Sequence, residues 1–288
     1  MRLHGVPLRQ VTAVWLLLAA ASLLGSEACA AEDASPWDGD ARSAVRLIAG
    51  TRMPGSGASL RAGIEIKLKP GWHTYWRYPG DAGVPPHFDF SGSQNLNTIE
   101  VLWPAPRRLE EAGLSTIGYD HDLILPLRLT PRDLHQPIAL RLKLAYAICE
   151  KLCVPAESSV ALGLAGGEST QEPRLAAAEA QVPHKATLGL VSAPLSISKI
   201  SREGDTDHPR MLIDVAVSTG KQVDLFAEGP TAEWALPLPV PVAGAPRGQQ
   251  RFALELDGAP PGATFAGALI NLTAVSGDDA IEVPFHLD

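Results

Sequence analysis

The stretch Leu140-Arg-Leu-Lys-Leu-Ala-Tyr-Ala-Ile-Cys149-Glu-Lys-Leu-Cys153 decides the fold class. Leu140, Leu142, Leu144 and Tyr146 alternate with Arg141, Lys143 and Ala145, a period of two that matches a β-strand with one buried and one wet face. Carrying the alternation forward puts Ile148 on the core side and Cys149 on the solvent side, so Cys149 is expected to be reachable. Glu150-Lys-Leu then makes a short turn that brings Cys153 back beside Cys149, and Pro155 marks an edge strand.

The same pattern recurs along the chain. Ala62, Ile64, Ile66 and Leu68 alternate with Gly63, Glu65 and Lys67. Shorter apolar runs at 44–48, 99–103, 123–129 and 159–164 are separated by turn residues. With 26 Gly and 25 Pro among 288 residues, the chain is punctuated often enough for many short strands, while 45% hydrophobic content supplies a core. The sequence predicts an all-β protein. After Leu164, Ala-Gly-Gly-Glu-Ser-Thr-Gln-Glu-Pro reads as a linker, and residues 174–181 as a short Ala-rich helix stopped by Pro183. Strand candidates return at 195–200, 211–217, 223–226, 234–238, 252–256, 268–275 and 281–285. Seven short strands in about a hundred residues fit an immunoglobulin-like sandwich. The expected organisation is therefore residues 1–30 as a signal peptide, 31–165 as one β-sandwich, 166–185 as a linker with a small helix, and 186–288 as a second sandwich.

The meaning of the cysteines depends on compartment. Arg2 and Arg9 precede an apolar stretch at 11–24, and Ala28-Cys29-Ala30 offers a small-residue cleavage site, the pattern of an export signal. Cleavage near Ala30 would leave Cys149 and Cys153 as the remaining pair. No later segment approaches the roughly 18 apolar residues of a membrane-spanning helix. The net charge of −8 argues against nucleic acid or an anionic membrane surface as partner.

Three uses of a Cys-x3-Cys pair compete in an oxidising compartment. As a staple it is weak, because closing a ring of about five residues removes only about 2 kcal/mol of unfolded-state entropy. As a soft-metal site it could hold copper, but supporting ligands are sparse. Position 157 is Glu, Met53 and Met211 are remote in sequence, and His73, His87 and His121 would have to approach in space. As a redox pair it opens and closes as one two-electron unit. It lacks the helix N-terminus that activates thioredoxin-type thiols, and Lys151 stands against Glu150 and Glu157. Such a pair suits one docked partner and needs shielding between encounters.

Four ordered blocks add a resemblance. Residues 71–86 (Gly-Trp-His-Thr-Tyr-Trp-Arg-Tyr-Pro-Gly-Asp-Ala-Gly-Val-Pro-Pro), Trp103-Pro-Ala-Pro106, Ile117-Gly-Tyr-Asp-His-Asp-Leu-Ile-Leu-Pro126 and Tyr146-Ala-Ile-Cys-Glu-Lys-Leu-Cys-Val-Pro-Ala-Glu157 closely resemble the N-terminal periplasmic domain of the thiol:disulfide interchange protein DsbD, particularly its ScsB-like branch. The resemblance covers about residues 40–165. It implies an immunoglobulin-like domain that needs no cofactor. Its catalytic pair, Cys149 and Cys153, would receive electrons from a membrane donor of DsbD or ScsB type and pass them to periplasmic thioredoxin-like oxidoreductases. It also implies a cap loop, matched here by about residues 107–115, with Glu110 and Glu111 near the thiols. Tyr75, Trp76, Tyr119 and Tyr146 would surround the site, and Arg77 would pair with Asp81 across a turn. The chain reaches Asp288 without a transmembrane or thioredoxin-like part, so the electron donor is expected to be a separate protein. The rival expectation is a copper-binding or copper-tolerance module that uses the same two thiols.

Overall fold

A computed structural model describes Met1 and residues 33–53, 55, 59–80, 82–111, 113–190, 194–204 and 209–287. The export signal, its cleavage site and Asp81 lie outside the described residues. The fold is all-β, with one α-helix among the described residues and its sheets in a sandwich-like arrangement. Residues 32–288 make one compact unit.

The first strands are β1 (Asp38–Gly39), β2 (Ser43–Arg52), β3 (Leu60–Leu68), β4 (His73–Gly80), β5 (His87–Asp89) and β6 (Leu96–Val101). They are followed by β7 (Arg107–Glu111), β8 (Leu114–Tyr119), β9 (Leu123–Pro131), β10 (Ile138–Cys149) and β11 (Cys153–Leu164). One sheet runs β1-β2-β3-β9-β6; the facing sheet runs β11-β10-β4-β8-β7, with β5 also paired to β10. After helix α1 (Glu172–Glu179) come β12 (His184–Lys185), β13 (Leu195–Glu203), β14 (Arg210–Val217), β15 (Asp224–Glu228), β16 (Val240–Val242), β17 (Gln249–Glu255), β18 (Leu269–Ser276) and β19 (Asp279–His286). These form two further four-stranded sheets, β12-β19-β18-β15 and β13-β14-β17-β16.

Alternation builds the core as the sequence predicts at β10, where Ile138, Leu140, Leu142, Leu144, Tyr146 and Ile148 are all buried. The face of β3 expected to be wet is so at Lys67 but not at Gly63 and Glu65. Glu65 is buried, because α1 lies across that face: Arg174 donates to both carboxylate oxygens of Glu65, and Arg46 to one of them. Gly50 and Gly63 make room for the helix. A Cβ at either would fall 2.7 Å from a methyl of Leu175, which is itself buried.

The strand expected at 234–238 is absent. Trp234, Leu236 and Leu238 alternate into the core, but Pro237 and Pro239 carry no N–H for a ladder, and the segment packs as irregular chain. Pro155 is tolerated in β11 because that strand is a sheet edge, with Pro155 facing Ala147 of β10.

Candidate active site

The two cysteines close the β10–β11 hairpin. They are cross-strand partners in the last position of the ladder, with Cα atoms 4.1 Å apart and the sulfurs joined as a disulfide. Directly opposed positions in an antiparallel ladder have the short Cα separation a disulfide needs. On its other side Cys149 pairs with His73 of β4, and Ile148 pairs with Thr74. Thr74 Oγ1 donates to the Ala147 carbonyl at 2.9 Å, tying β4 to β10 where the cysteines begin.

Parity places Cys149 on the face opposite Ile148, yet that face is not open to solvent. Cys149 is 0% exposed, and with Tyr75 and Ala147 it forms a small apolar cluster separate from the main core. Tyr75 is the cover. Its hydroxyl lies 2.9 Å from Cys149 Sγ and 3.1 Å from Cys153 Sγ, so the phenolic proton is donated toward the disulfide. The Tyr75 ring stands edge-on to His73, with centroids 5.7 Å apart. It is also backed by the chain at Gly83, where a Cβ would meet the Tyr75 ring at 2.7 Å. The expectation of a reachable Cys149 is therefore corrected: a side chain 74 residues away buries it.

Cys153 is the exposed sulfur-bearing residue. It borders a groove of about 350 Å³ whose lining includes the apolar Val84, Pro85, Val154 and Pro155 together with His87 and Glu157. Leu152, in the turn between the cysteines, is 78% exposed.

Of the remaining expected site residues, Tyr146 also lines this groove, while Trp76 and Tyr119 turn elsewhere. Trp76 points the other way from Tyr75, into the main core, where its ring centroid is 6.0 Å from that of Phe226. Tyr119 is buried and donates to the Pro104 carbonyl at 2.8 Å, and burial raises its pKa well above the usual phenol value. Tyr146 shares a 2.7 Å hydrogen bond with Ser43 Oγ in the core.

Residues 107–115 form the β7–β8 hairpin instead of a cap. Sheet order places β4 and β8 between β7 and β10, a separation of about 14 Å at strand spacing. Thr116, beside the hairpin tip, registers with Gly80, at the end of β4 away from His73 and Cys149. Glu110 accepts from Ser115 Oγ at 2.7 Å, and Glu111 pairs with Leu114 as the strand ends. Cys149 alone is covered, by Tyr75 backed at Gly83, while Cys153 stays exposed beside the groove that Val84 and Pro85 help to line. Arg77 pairs with Glu228 and Glu282, while Asp81, its expected partner, lies outside the described residues. The groove's contribution from 82–85 was missed in sequence; the run Gly83-Val-Pro-Pro86, apolar and free of charge, was the signal available.

Among the described residues no group of three or more His, Cys, Asp or Glu side chains is placed to hold a metal ion. No described helix is long and apolar enough to cross a membrane.

Residues 45–165 match the family model described as thiol:disulfide interchange protein DsbD, N-terminal. The crystal structure of the N-terminal periplasmic domain of ScsB from Proteus mirabilis resembles this fold with a TM-score of 0.68 at 22% identity, covering 88% of this chain and 97% of that one. At that identity the likeness speaks to the fold, and it extends well past the segment matched by the family model. No curated protein matches the chain in sequence.

Proposed function

From a chain whose residues 45–165 fall in the DsbD N-terminal family, we propose a periplasmic thiol:disulfide interchange protein that relays reducing equivalents through Cys149 and Cys153. One observation carries the reading most: the disulfide has one sulfur sealed under Tyr75 and the other residue exposed beside an apolar groove. A staple gains nothing from such asymmetry, and a ring this small is a poor staple. An exchanging pair gains a single point of entry.

The chemistry follows from that asymmetry. A thiolate of the electron donor attacks Cys153 Sγ, the Cys149–Cys153 bond breaks, and its electron pair leaves on Cys149 Sγ. Tyr75 O–H is placed to donate to that nascent thiolate. A second donor thiol then attacks the intermolecular disulfide, leaving both cysteines reduced and the donor oxidised. Delivery to an acceptor runs in reverse: the Cys153 thiolate attacks the acceptor's disulfide and Cys149 resolves the mixed species. Thioredoxin-like oxidoreductases of the periplasm are the partner class, with a membrane donor of DsbD or ScsB type upstream. In this reading residues 31–165 serve as the redox domain, 186–288 as a second β domain and 166–185 as their connection, and residues 1–30 direct export.

The deciding measurement is the reduction potential of the pair in glutathione buffers, read by thiol alkylation and mass shift. A value above about −250 mV with reversible exchange supports the relay; a value below about −300 mV, resistant to protein thiols, leaves a structural disulfide. The rival copper module draws support from His73, the cross-strand neighbour of Cys149. It requires stoichiometric Cu(I) binding by the reduced protein that is lost on replacing either cysteine or His73.

A further inference from the structure

Strand β4 touches both the disulfide and the second half of the chain. It pairs regularly with β8 at Thr74–Tyr119 and Tyr75–Gly118, but the next registered pair is Gly80–Thr116. Five steps along β4 therefore oppose two along β8, and residues 76–79 bulge from the ladder. That bulge is where the second half takes hold. Trp76 packs against Phe226 of β15. Arg77 donates to both carboxylate oxygens of Glu228, at 2.8 and 2.7 Å, and at 2.7 Å to Glu282 of β19, while its guanidinium lies 4.4 Å over the Trp76 ring. Tyr78 Oη donates to the Leu236 carbonyl at 2.6 Å.

Tyr75 immediately precedes the bulge and makes with Gly118 the last regular pair of the ladder, so the hold on residues 76–79 bears on the strand segment that carries it. The side chain that seals Cys149 is thus adjacent in sequence to three residues fixed by the other half of the protein. Glu282 is itself held by Lys185 and Asn271, so the grip is a network within the second half. We propose that Arg77, clamped by Glu228 and Glu282, is a positioning residue that fixes Tyr75 over Cys149, so that the second half of the chain sets how readily the disulfide is reduced. This rests on the relay reading for its biological sense, but its physical content is the accessibility of one disulfide.

The test uses the full chain and dithiothreitol. The reagent's thiolate attacks Cys153 Sγ while Tyr75 covers Cys149, and Cys149 Sγ as well once the cover loosens; the other sulfur leaves as thiolate, and the reagent's second thiol closes its own ring, passing two electrons and two protons to the pair. Arg77→Met should raise the reduction rate about tenfold, a size within reach of coupling through packed networks, and Arg77→Lys should recover most of the difference. In a Tyr75→Ala background, where the cover is already gone, Arg77→Met should change the rate less than about twofold. An unchanged rate in folded Arg77→Met, or an equal increase in both backgrounds, overturns the proposal. If Arg77→Met does not fold, Glu228→Gln, which keeps Glu282, is scored by the same two-background comparison. Should the pair never exchange with protein thiols while the coupling between Arg77 and Tyr75 persists, the relay reading fails and this inference stands.

Discussion

Tyr75 Oη lies 2.9 Å from Cys149 Sγ, which puts a phenol within hydrogen-bond reach of a sulfur that solvent does not reach. A hydroxyl in that position acts differently in the two redox states. Toward the disulfide it is a weak donor to a poor acceptor. Toward the Cys149 thiolate it is a charge-assisted donor, stronger by about a factor of two. Tyr75 thus favours the reduced, ionised form as well as shielding the oxidised one. Tyr75→Phe, which keeps the ring, should raise the pKa of the Cys149 thiol by about one unit and lower the reduction potential. Thiolate absorbance against pH in the reduced protein reads this directly; an unshifted titration would mean that the hydroxyl only fills space.

The asymmetry of exposure fixes the order of attack. Because Cys153 is exposed and Cys149 is 0% exposed, the mixed disulfide should form on Cys153. Cys149→Ser should accumulate covalent adducts with a thioredoxin-fold protein activated as a mixed disulfide with thionitrobenzoate, which leaves as its thiolate when Cys153 attacks the protein sulfur, and Cys153→Ser should yield at least about tenfold fewer. Comparable adducts from both variants would show that Tyr75 does not block approach to Cys149.

Acid should loosen the grip on Arg77. Burial pushes the Glu282 carboxyl upward, but the hydrogen bond from Lys185 and the charge of Arg77 outweigh it, and the net pKa is lowered. A carboxylate depressed in the folded state stabilises fully above its unfolded pKa of about 4.3, and that stability is lost as pH falls through the lower folded value. The melting temperature should therefore hold from pH 7 to about 5 and fall below about 4. Glu282→Gln should lose about 2 kcal/mol at neutral pH, since both partners are only partly exposed, and should show a shallower acid limb. Thermal melts of the two proteins across pH 2 to 7 make the comparison. Parallel acid limbs would assign the transition to other carboxylates, among them Glu65 and Glu172, whose pKa values are also lowered.

Much of this architecture is legible in the sequence, for reasons that also explain what is not. The β10–β11 hairpin follows from a period of two that runs without a break into a short turn, so its register and the meeting of Cys149 with Cys153 follow from local pattern. Which face of that hairpin is wet does not follow. Parity correctly puts Cys149 opposite Ile148, but Tyr75 and Gly83 arrive from a distant part of the chain. The same failure occurs at Glu65, polar in an alternating run and buried under α1 by Arg46 and Arg174. At 234–238 alternation is present without a strand, because Pro237 and Pro239 break the backbone condition while leaving side-chain burial intact. Periodicity reports which side chains are buried; it does not report which backbone ladder or which distant residue buries them.

Helix α1 offers a test of packing apart from redox chemistry. Its eight residues are too few to be stable alone, so its persistence depends on the Leu175 side chain in the gap over Gly50 and Gly63 and on the Arg61 pairs with Glu172 and Glu179. Leu175→Ala removes an anchor that is 1% exposed and should cost about 3 kcal/mol. Gly63→Val should cost a similar amount, mainly by displacing the same side chain. Because both changes act on one contact, the double variant should lose less than the sum of the singles. Denaturant unfolding of the four proteins measures the cycle. Additive losses would mean that Leu175 and Gly63 stabilise the protein independently, and that α1 is held by its ion pairs instead.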